Sequence, residues 1–165
     1  RSPDMARAAI AGEDGRFCSH NGFDWKGIAS AAYSNAQGKR LRGGSTISQQ
    51  TAKNVYLWQG RSWARKALET IYTPMIEAAW SKRRIVEVYL NVAEFGPGVF
   101  GIAAGARHHF GTTPERLTAA QAAALASVLP SPAARQARLG SERARQIADG
   151  AATIEADGRA DCLNP

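Results

Sequence analysis

Acidic residues near the start of the chain flank a long cationic stretch. Glu13, Asp14 and Asp24 precede the stretch, Glu69 follows it, and the residues from Trp25 to Leu68 include no Asp or Glu. The stretch carries these cations: Lys26, Lys39, Arg40, Arg42, Lys53, Arg61, Arg65 and Lys66. A carboxylate beside cations stays ionised, as a general base requires. The pattern predicts a site that holds a polyanion and moves a proton with a carboxylate.

Glu13 opens a turn rich in glycine and polar residues, directly after a helix that is predicted to end at Gly12. At the mouth of a cleft it would act as a general base, but an isolated glutamate is also typical of a solvated surface. His20 has two similar interpretations, as a ligand or acid of a site or as a structural residue that fixes the turn. The residues alone leave both choices open.

The segment from Gly43 to Asn54 has a glycine pair that opens a polar helix. Free backbone N–H groups at such a helix N-terminus attract anions. Ser45, Thr46 and Gln49 add neutral donors, and Lys53 lies about two turns into the helix. A capped surface helix is the alternative, and the order of residues excludes a P-loop.

Two further basic segments follow. Arg65 and Glu69 are four residues apart, which predicts either an exposed helical ion pair of about 0.3–0.5 kcal/mol or an anion clamp with Arg61 and Lys66. The segment Lys82–Arg84 opens a later helix against the helix dipole. We expect it to be a solvated or membrane-facing patch.

The whole chain reads as a folded protein of 165 residues, with 44% hydrophobic residues and a net charge of +7. The positive charge favours partners that bear phosphate. No apolar run is long enough to span a bilayer. The first residue is Arg1 rather than Met, which indicates a fragment or a processed form from which an anchor could have been removed. Cys18 and Cys162 match no metal-ligand spacing. We expect two buried, unpaired thiols, with a single bridge as the alternative.

Helical periodicity extends through most of the chain and predicts a mainly α fold, with a short hairpin at the glycine-rich segment 95–101. Pro74 should kink or break its helix. The segment 37–44 should be a mobile loop, and the last residues should be loose. The predicted helices cover residues 3–12, 24–38, 45–56, 62–80, 82–91, 102–109, 118–129 and 141–154.

Together these segments resemble the peptidoglycan glycosyltransferases of glycosyltransferase family 51. The family's first motif, Glu-Asp-x-x-Phe-x-x-His-x-Gly-x-Asp, is matched by Glu13, Asp14, Phe17, His20, Gly22 and Asp24. Its second motif matches Gly43 to Asn54, and its third, Arg-Lys-x-x-Glu, matches Arg65, Lys66 and Glu69. Its fourth and fifth motifs fall on Tyr89–Asn91, Phe95–Ile102 and the helix that ends at Leu129-Pro130.

The resemblance implies a lysozyme-like helical lobe with a smaller, membrane-proximal jaw lobe. It implies one glycosyltransferase domain over residues 1–165, with the motifs in 2–132 and a polar helix and tail in 133–165. The chain resembles the monofunctional form, which polymerises lipid II into β-1,4-linked glycan and releases undecaprenyl pyrophosphate with inversion.

The resemblance also assigns roles to residues. Glu13 would be the general base, and Glu69 would position cations, bind a divalent metal or assist departure of the leaving group. Lys53, Arg61 and Arg65 would hold the pyrophosphate. Substrate contacts are implied for Asp14, Ser45, Thr46, Gln49, Gln50, Lys53, Asn54, Arg61 and Arg65. Structural roles within the first motif are implied for Phe17, His20, Gly22 and Asp24.

The implied partners are lipid II, the growing glycan chain, the membrane surface and other cell-wall synthesis proteins, but not nucleic acid. The implied location is the periplasmic side of the bacterial inner membrane. No cofactor is required for certain, and the resemblance leaves open a role for Mg²⁺ or Mn²⁺.

Two rival functions share part of the pattern. A lytic, lysozyme-like enzyme would also have a leading glutamate, but it would not need the cationic stretch that lacks carboxylates. A nucleic-acid-binding module would explain the charge alone, yet the basic residues are not interleaved with an aromatic platform.

Overall fold

The computed structural model describes residues 3–36, 44–58, 60, 62–129 and 137–164. Helices dominate these residues, and the mainly α fold class is confirmed. The helices are α1 (Pro3–Glu13), α2 (Trp25–Ala36), α3 (Ile47–Tyr56), α4 (Trp63–Ala79), α5 (Lys82–Val92), α6 (Ile102–Phe110), α7 (Ala119–Ala126) and α8 (Glu142–Asp157). Short 3₁₀ turns lie at Phe17–Ser19, Pro114–Arg116 and Asp161–Leu163.

The predicted hairpin is confirmed. Strand β1 (Glu94–Gly96) pairs antiparallel with strand β2 (Val99–Phe100), with Glu94 opposite Phe100. His109 of α6 contacts the carbonyl oxygen of Phe95 through its Nε2, at 2.6 Å. This contact fixes the hairpin against α6, at the end of α5.

The core lies where α1, α7 and α8 pack together and where α3 packs on α5. Its largest fully buried side chains include Ile10, Phe17, Tyr89, Phe95 and Leu125. Helix α7 is buried from Ala122 to Ala126, as expected for a helix that is apolar on every face. The core therefore includes elements from both ends of the chain.

Helix α1 was predicted to end at Gly12, but it ends one residue later, at Glu13. Gly12 serves packing instead, because a Cβ there would lie 3.1 Å from Cδ1 of Ile147 on α8. The glycine therefore allows α1 and α8 to approach closely. Because α1 extends one residue further than predicted, Glu13 is the last helical residue rather than part of the turn.

The break predicted at Pro74 is also wrong, because α4 is assigned as one helix from Trp63 to Ala79. The buried residues Glu69, Thr73 and Ile76 recur at helical spacing on both sides of the proline. The Thr73 hydroxyl also donates to the carbonyl oxygen of Glu69 at 2.7 Å. Tertiary packing thus outweighs the loss of one backbone hydrogen bond.

The C-terminal residues are not loose within the described range, and the two cysteines are not free thiols. Cys18 and Cys162 form a disulfide across 144 residues, with their Cα atoms 5.6 Å apart. Ala160 and Leu163, on either side of Cys162, pack against the core. Packing of α8 on α1 brings the two cysteines together, which sequence spacing could not reveal.

Helix α2 differs from the other long helices, since none of its described side chains is buried. Trp25 is 70% exposed and Tyr33 is 64% exposed. The described side chains of α2 therefore lie outside the core. The predicted mobile loop at 37–44 falls almost wholly outside the described residues.

Candidate active site

Glu13 lies half-buried at the end of α1 and contacts a polar chain that crosses the core. Its Oε2 accepts a hydrogen bond from Nε2 of Gln50 at 3.2 Å. The Gln50 Oε1 in turn accepts one from the hydroxyl of Tyr89, at 3.0 Å. Burial, followed by the charges of Glu13 and Asp14, raises the pKa of Tyr89 well above its ordinary value, so the phenol remains a donor. The amide of Gln50 is thereby oriented with its NH₂ group toward Glu13.

Asp14, next to this carboxylate, is buried and used within the fold. Its Oδ2 contacts Nε2 of His20 at 2.8 Å and accepts a hydrogen bond from the backbone N–H of Ile47 at 3.1 Å. The backbone N–H of Gly22 donates to Nδ1 of His20 at 3.0 Å, so the ring proton lies on Nε2 and points at Asp14. Asp14 therefore joins the first motif to the start of α3, and its side chain is buried away from any ligand in solvent.

The N-terminus of α3 is satisfied by the protein itself, contrary to the anion site predicted there. Thr46 and Gln49 form a reciprocal capping box. The Thr46 hydroxyl also donates to the carbonyl oxygen of Gly22, at 2.6 Å. Both side chains are buried, whereas Ser45 before them is exposed. Of these three predicted substrate contacts, only Ser45 remains accessible.

The other residues of the first motif also make contacts inside the fold. Phe17 is fully buried, with its ring edge-on to His20 and the ammonium of Lys82 4.3 Å from its ring centroid. Gly22 has a φ of +109°, and a Cβ there would lie 2.8 Å from Cγ2 of Thr73. Asp24 caps α2 by accepting from the N–H of Gly27 at 2.9 Å.

The sequence predicted a solvated or membrane-facing patch at Lys82–Arg84, but Lys82 is largely shielded from solvent. It forms an ion pair of 2.7 Å with Glu77, and the two side chains are only 15% and 8% exposed. The Ser48 hydroxyl also donates to Glu77, at 2.5 Å. Glu77 therefore connects α3, α4 and α5 behind the first motif. Sequence reasoning missed it because a single glutamate in a helix carries no signal.

Arg65, Lys66 and Glu69 form a compact cluster on α4. The Glu69 carboxylate accepts from Arg65 at 3.2 Å and from Lys66 at 2.9 Å. The Glu69 side chain is buried and that of Arg65 is only 12% exposed, so this is not the exposed helical pair predicted as the alternative. Arg61, the remaining predicted cation, lies outside the described residues.

Lys53 joins this cluster from α3. Burial, and then the positive charges of Arg65 and Lys66, lower the pKa of Lys53, while Glu69 and Glu13 partly oppose the shift. Because both carboxylates act on the same ammonium group, Glu13 and Glu69 share one electrostatic environment. Lys53 therefore lies within electrostatic range of Glu13 and of the Arg65, Lys66 and Glu69 cluster.

A polar cavity of about 120 Å³ lies beside these residues. Gln50, Lys53 and Asn54 of α3 line it together with Tyr89 of α5 and Glu94 of the hairpin. Glu94 also accepts from the backbone N–H of Gly98, at 3.0 Å. The only signal for Glu94 in the sequence is its place between Asn91 and the glycine-rich segment of the fourth motif.

The donors around Glu69 do not fit a divalent cation held by protein side chains. Both carboxylate oxygens already accept from cations, and a metal needs additional oxygen or nitrogen ligands. Among the described residues, no three acidic, histidine or cysteine side chains are grouped to supply them. We therefore assign no step to a metal bound by Glu69.

A helix that spans a bilayer needs about 20 apolar residues. None of the helices in the described ranges meets that requirement.

Comparison with known proteins gives one consistent result. The family model described as "Transglycosylase" matches residues 1–154. The chain is 58% identical over 166 residues to a biosynthetic peptidoglycan transglycosylase of Jannaschia sp. (strain CCS1), which covers 98% of this chain and 68% of that protein. A protein of the same name from Caulobacter vibrioides is 46% identical, over 98% of this chain and 72% of its own length.

The protein of that name from Pasteurella multocida is 58% identical over 131 residues, which is 79% of this chain but 53% of that protein. The chain thus spans between about half and three quarters of the relatives it matches. The family resemblance inferred from the motifs is confirmed. With the family model matched over most of its length, the chain is an enzyme that belongs to the transglycosylase family.

Proposed function

We propose that the chain polymerises lipid II into β-1,4-linked glycan strands and releases undecaprenyl pyrophosphate. The observation that carries the proposal is the shared environment of Glu13 and Lys53, which Gln50 connects by touching Glu13 and lining the cavity beside Lys53. A base next to fixed cations suits a reaction that removes a proton at one end and expels a diphosphate at the other.

Glu13 takes the proton from the 4-hydroxyl group of the acceptor lipid II. The resulting oxygen attacks the anomeric carbon of the growing chain, whose bond to pyrophosphate breaks as the new glycosidic bond forms. One displacement converts the α-linked donor into a β-1,4 product. Gln50, with its amide oriented by Tyr89, keeps the Glu13 carboxylate in place for this transfer.

The pyrophosphate gains negative charge as its bond breaks, and Lys53, Arg61 and Arg65 hold it. Glu69 acts through these cations, because its two oxygens pair with Arg65 and Lys66, whose charges also act on Lys53. Ser45 and Asn54 line the donor side. Of the three roles predicted for Glu69, this proposal assigns it the positioning of cations.

Exposed apolar residues support contact with a membrane surface. Trp63, Ile71 and Met75 of α4 are 92%, 59% and 57% exposed, and they recur at helical spacing on one face. Tryptophan is enriched where proteins meet the membrane interface. This face suits an enzyme whose substrate is anchored in the bilayer, on the periplasmic side of the inner membrane, and Trp25 of α2 is a second exposed tryptophan.

The experiment is incubation with labelled lipid II, followed by electrophoresis of the products, with magnesium and with EDTA. The wild-type chain should make long glycan, whereas Glu13→Gln should fold normally and lose nearly all polymerisation. Near-normal turnover by Glu13→Gln would refute the assignment of the base. Shortening of isolated sacculi, without polymerisation of lipid II, would favour a lytic enzyme instead.

A further inference from the structure

Helix α8 packs closely against the end of α1 that carries Glu13. A Cβ at Gly12 would lie 3.1 Å from Cδ1 of Ile147, and a Cβ at Gly150 would lie 3.3 Å from the Cβ of Ala11. Glycine at both positions therefore allows the two helices to approach each other closely. This close contact lies directly before Glu13 in the chain.

Arg143, the second residue of α8, adds a polar contact at the same place. Its Nη2 donates a hydrogen bond to the carbonyl oxygen of Gly12, at 3.1 Å, and the side chain is half-buried there. The last four carbonyl groups of an α-helix have no partner within the helix. Arg143 therefore satisfies a backbone group one residue before Glu13.

The place of Arg143 in the sequence is unfavourable for its own helix. A cation in the first turn of a helix opposes the helix dipole, whereas a cation at a helix C-terminus complements it. The guanidinium group of Arg143 belongs by sequence to the first turn of α8, but it lies at the C-terminal end of α1. Its charge therefore stabilises the end of α1. The residue lies outside the five motifs, which fall within residues 2–132.

The side chain of Glu13 is held separately, from α3. Its Oε2 accepts from Nε2 of Gln50 at 3.2 Å, and the Tyr89 hydroxyl orients that amide. One contact thus fixes the carboxylate, and the contact from Arg143 fixes the backbone immediately before it. Precise placement matters for a catalytic group, because a displacement of about 1 Å can cost about a hundredfold in rate.

We propose that Arg143 is a positioning residue of the reaction, which fixes the last turn of α1 so that Glu13 meets the acceptor hydroxyl group. Arg143 acts through the carbonyl group of Gly12 and not on the substrate. The proposal rests on the assignment of Glu13 as the general base in the proposed function.

The test compares kcat and KM for polymerisation of lipid II by the wild type, Arg143→Met and Arg143→Lys. Arg143→Met keeps an apolar stem but removes the donor and the charge, so kcat should fall about 10–100-fold while KM changes by less than about twofold. Arg143→Lys supplies a charged donor again and should recover most of the lost kcat. Where Arg143→Met does not fold, Arg143→Gln replaces it, because its amide reaches less far and carries no charge.

Arg7→Met is the matched control. Arg7 also joins α1 to α8, through an ion pair of 3.6 Å with Glu155. It lies six residues before Glu13, which is about 9 Å along the helix. Arg7→Met should therefore weaken the contact between the two helices and leave kcat unchanged. Unfolding of each variant in urea establishes that it is folded and measures its loss of stability.

Three outcomes would overturn the proposal. An unchanged kcat in Arg143→Met would leave Arg143 only a role in joining the helices. An equal loss of kcat in Arg7→Met would attribute the effect to the packing of α8 in general. A raised KM with unchanged kcat would make Arg143 a substrate contact.

Glu13→Gln in the same assay separates this proposal from the proposed function. An inactive Glu13→Gln beside a fully active Arg143→Met would remove the positioning role and leave the base assignment in place. A near-normal Glu13→Gln would remove the base assignment, and the positioning role with it.

Discussion

Gln50 and Asp14 illustrate how single residues divide the work around the proposed base. Gln50 touches Glu13 on one side and Tyr89 on the other, and it lines the cavity beside Lys53. Asp14 is adjacent to Glu13 in sequence but turns into the protein, where it holds His20 and the start of α3. The two adjacent acids that open the first motif, Glu13 and Asp14, therefore have different tasks, one at the proposed site and one beneath it.

Asp14 should matter for stability more than for binding. Asp14→Ala removes the acceptor of two buried donors and should lower the free energy of unfolding by about 2–4 kcal/mol, measured in urea. Asp14→Asn keeps an acceptor oxygen and should lose less. Asp24→Ala, which removes a helix cap, is the control and should cost about 1 kcal/mol. Unchanged stability with lost binding of lipid II would mean that Asp14 contacts the substrate.

Lys53, in contrast to Asp14, should matter for activity more than for stability. Its lowered pKa means that the folded chain binds this proton less tightly than the unfolded chain does. Charged Lys53 therefore costs stability below its folded pKa, and the cost is relieved as the pH rises toward the ordinary lysine value of 10.5. Lys53→Met should unfold at the same or a higher temperature at pH 7, with less of a gain at alkaline pH.

The activity of Lys53→Met should fall, although its stability should not. Without a cation for the leaving group, Lys53→Met should lose about 10²–10³-fold in turnover of lipid II. Lys26→Met, at an exposed position of α2, is the control and should retain activity. A collapse of the unfolding temperature in Lys53→Met would make Lys53 a structural residue.

At the scale of elements, α4 holds its cations through a buried carboxylate. Because Glu69 is buried and Arg65 is only 12% exposed, removing one partner leaves the other charge poorly compensated. The sequence spacing identified the pair correctly but could not give its burial, which arises from packing of α4 against α3. The same spacing on an exposed helix would have little energetic value.

A double-mutant cycle measures this difference. Glu69→Met should lower the free energy of unfolding by about 3–5 kcal/mol, and Arg65→Met/Glu69→Met should recover much of the loss without recovering activity. The matched control is Arg84 and Glu87 on α5, whose side chains are 54% and 35% exposed. Their coupling should be below about 1 kcal/mol, and equal coupling in the two pairs would contradict the burial argument.

At the scale of the whole molecule, the two ends of the chain are joined behind the proposed site. Cys18 lies in the turn that follows Glu13, and Cys162 lies in the C-terminal 3₁₀ turn Asp161–Leu163. The disulfide thus connects the first motif with the last described element. Disulfides persist in oxidising compartments such as the bacterial periplasm, so the bond agrees with the proposed location.

Loss of this disulfide should destabilise the entire fold. Reduction, or the variant Cys18→Ser/Cys162→Ser, should lower the free energy of unfolding by about 2–5 kcal/mol, because the bond closes a loop of most of the chain. Calorimetry with and without dithiothreitol measures the effect, and the double variant should not respond to the reductant. An unfolding temperature that reduction leaves unchanged would show that noncovalent packing of α8 is sufficient.

The sequence by itself determined the helices, most of their caps, the hairpin and the family, because these depend on short-range periodicity and on ordered motifs. It also determined that cations are concentrated between two acidic segments. Only the tertiary structure decided which side chains are shielded from solvent and which residues they contact: Asp14 contacts the start of α3, Lys82 contacts Glu77, Glu69 contacts Arg65, and Cys18 is bonded to Cys162. The physical reason is that burial and pairing of distant side chains depend on how helices pack against one another, and that arrangement has no periodic signal in the chain.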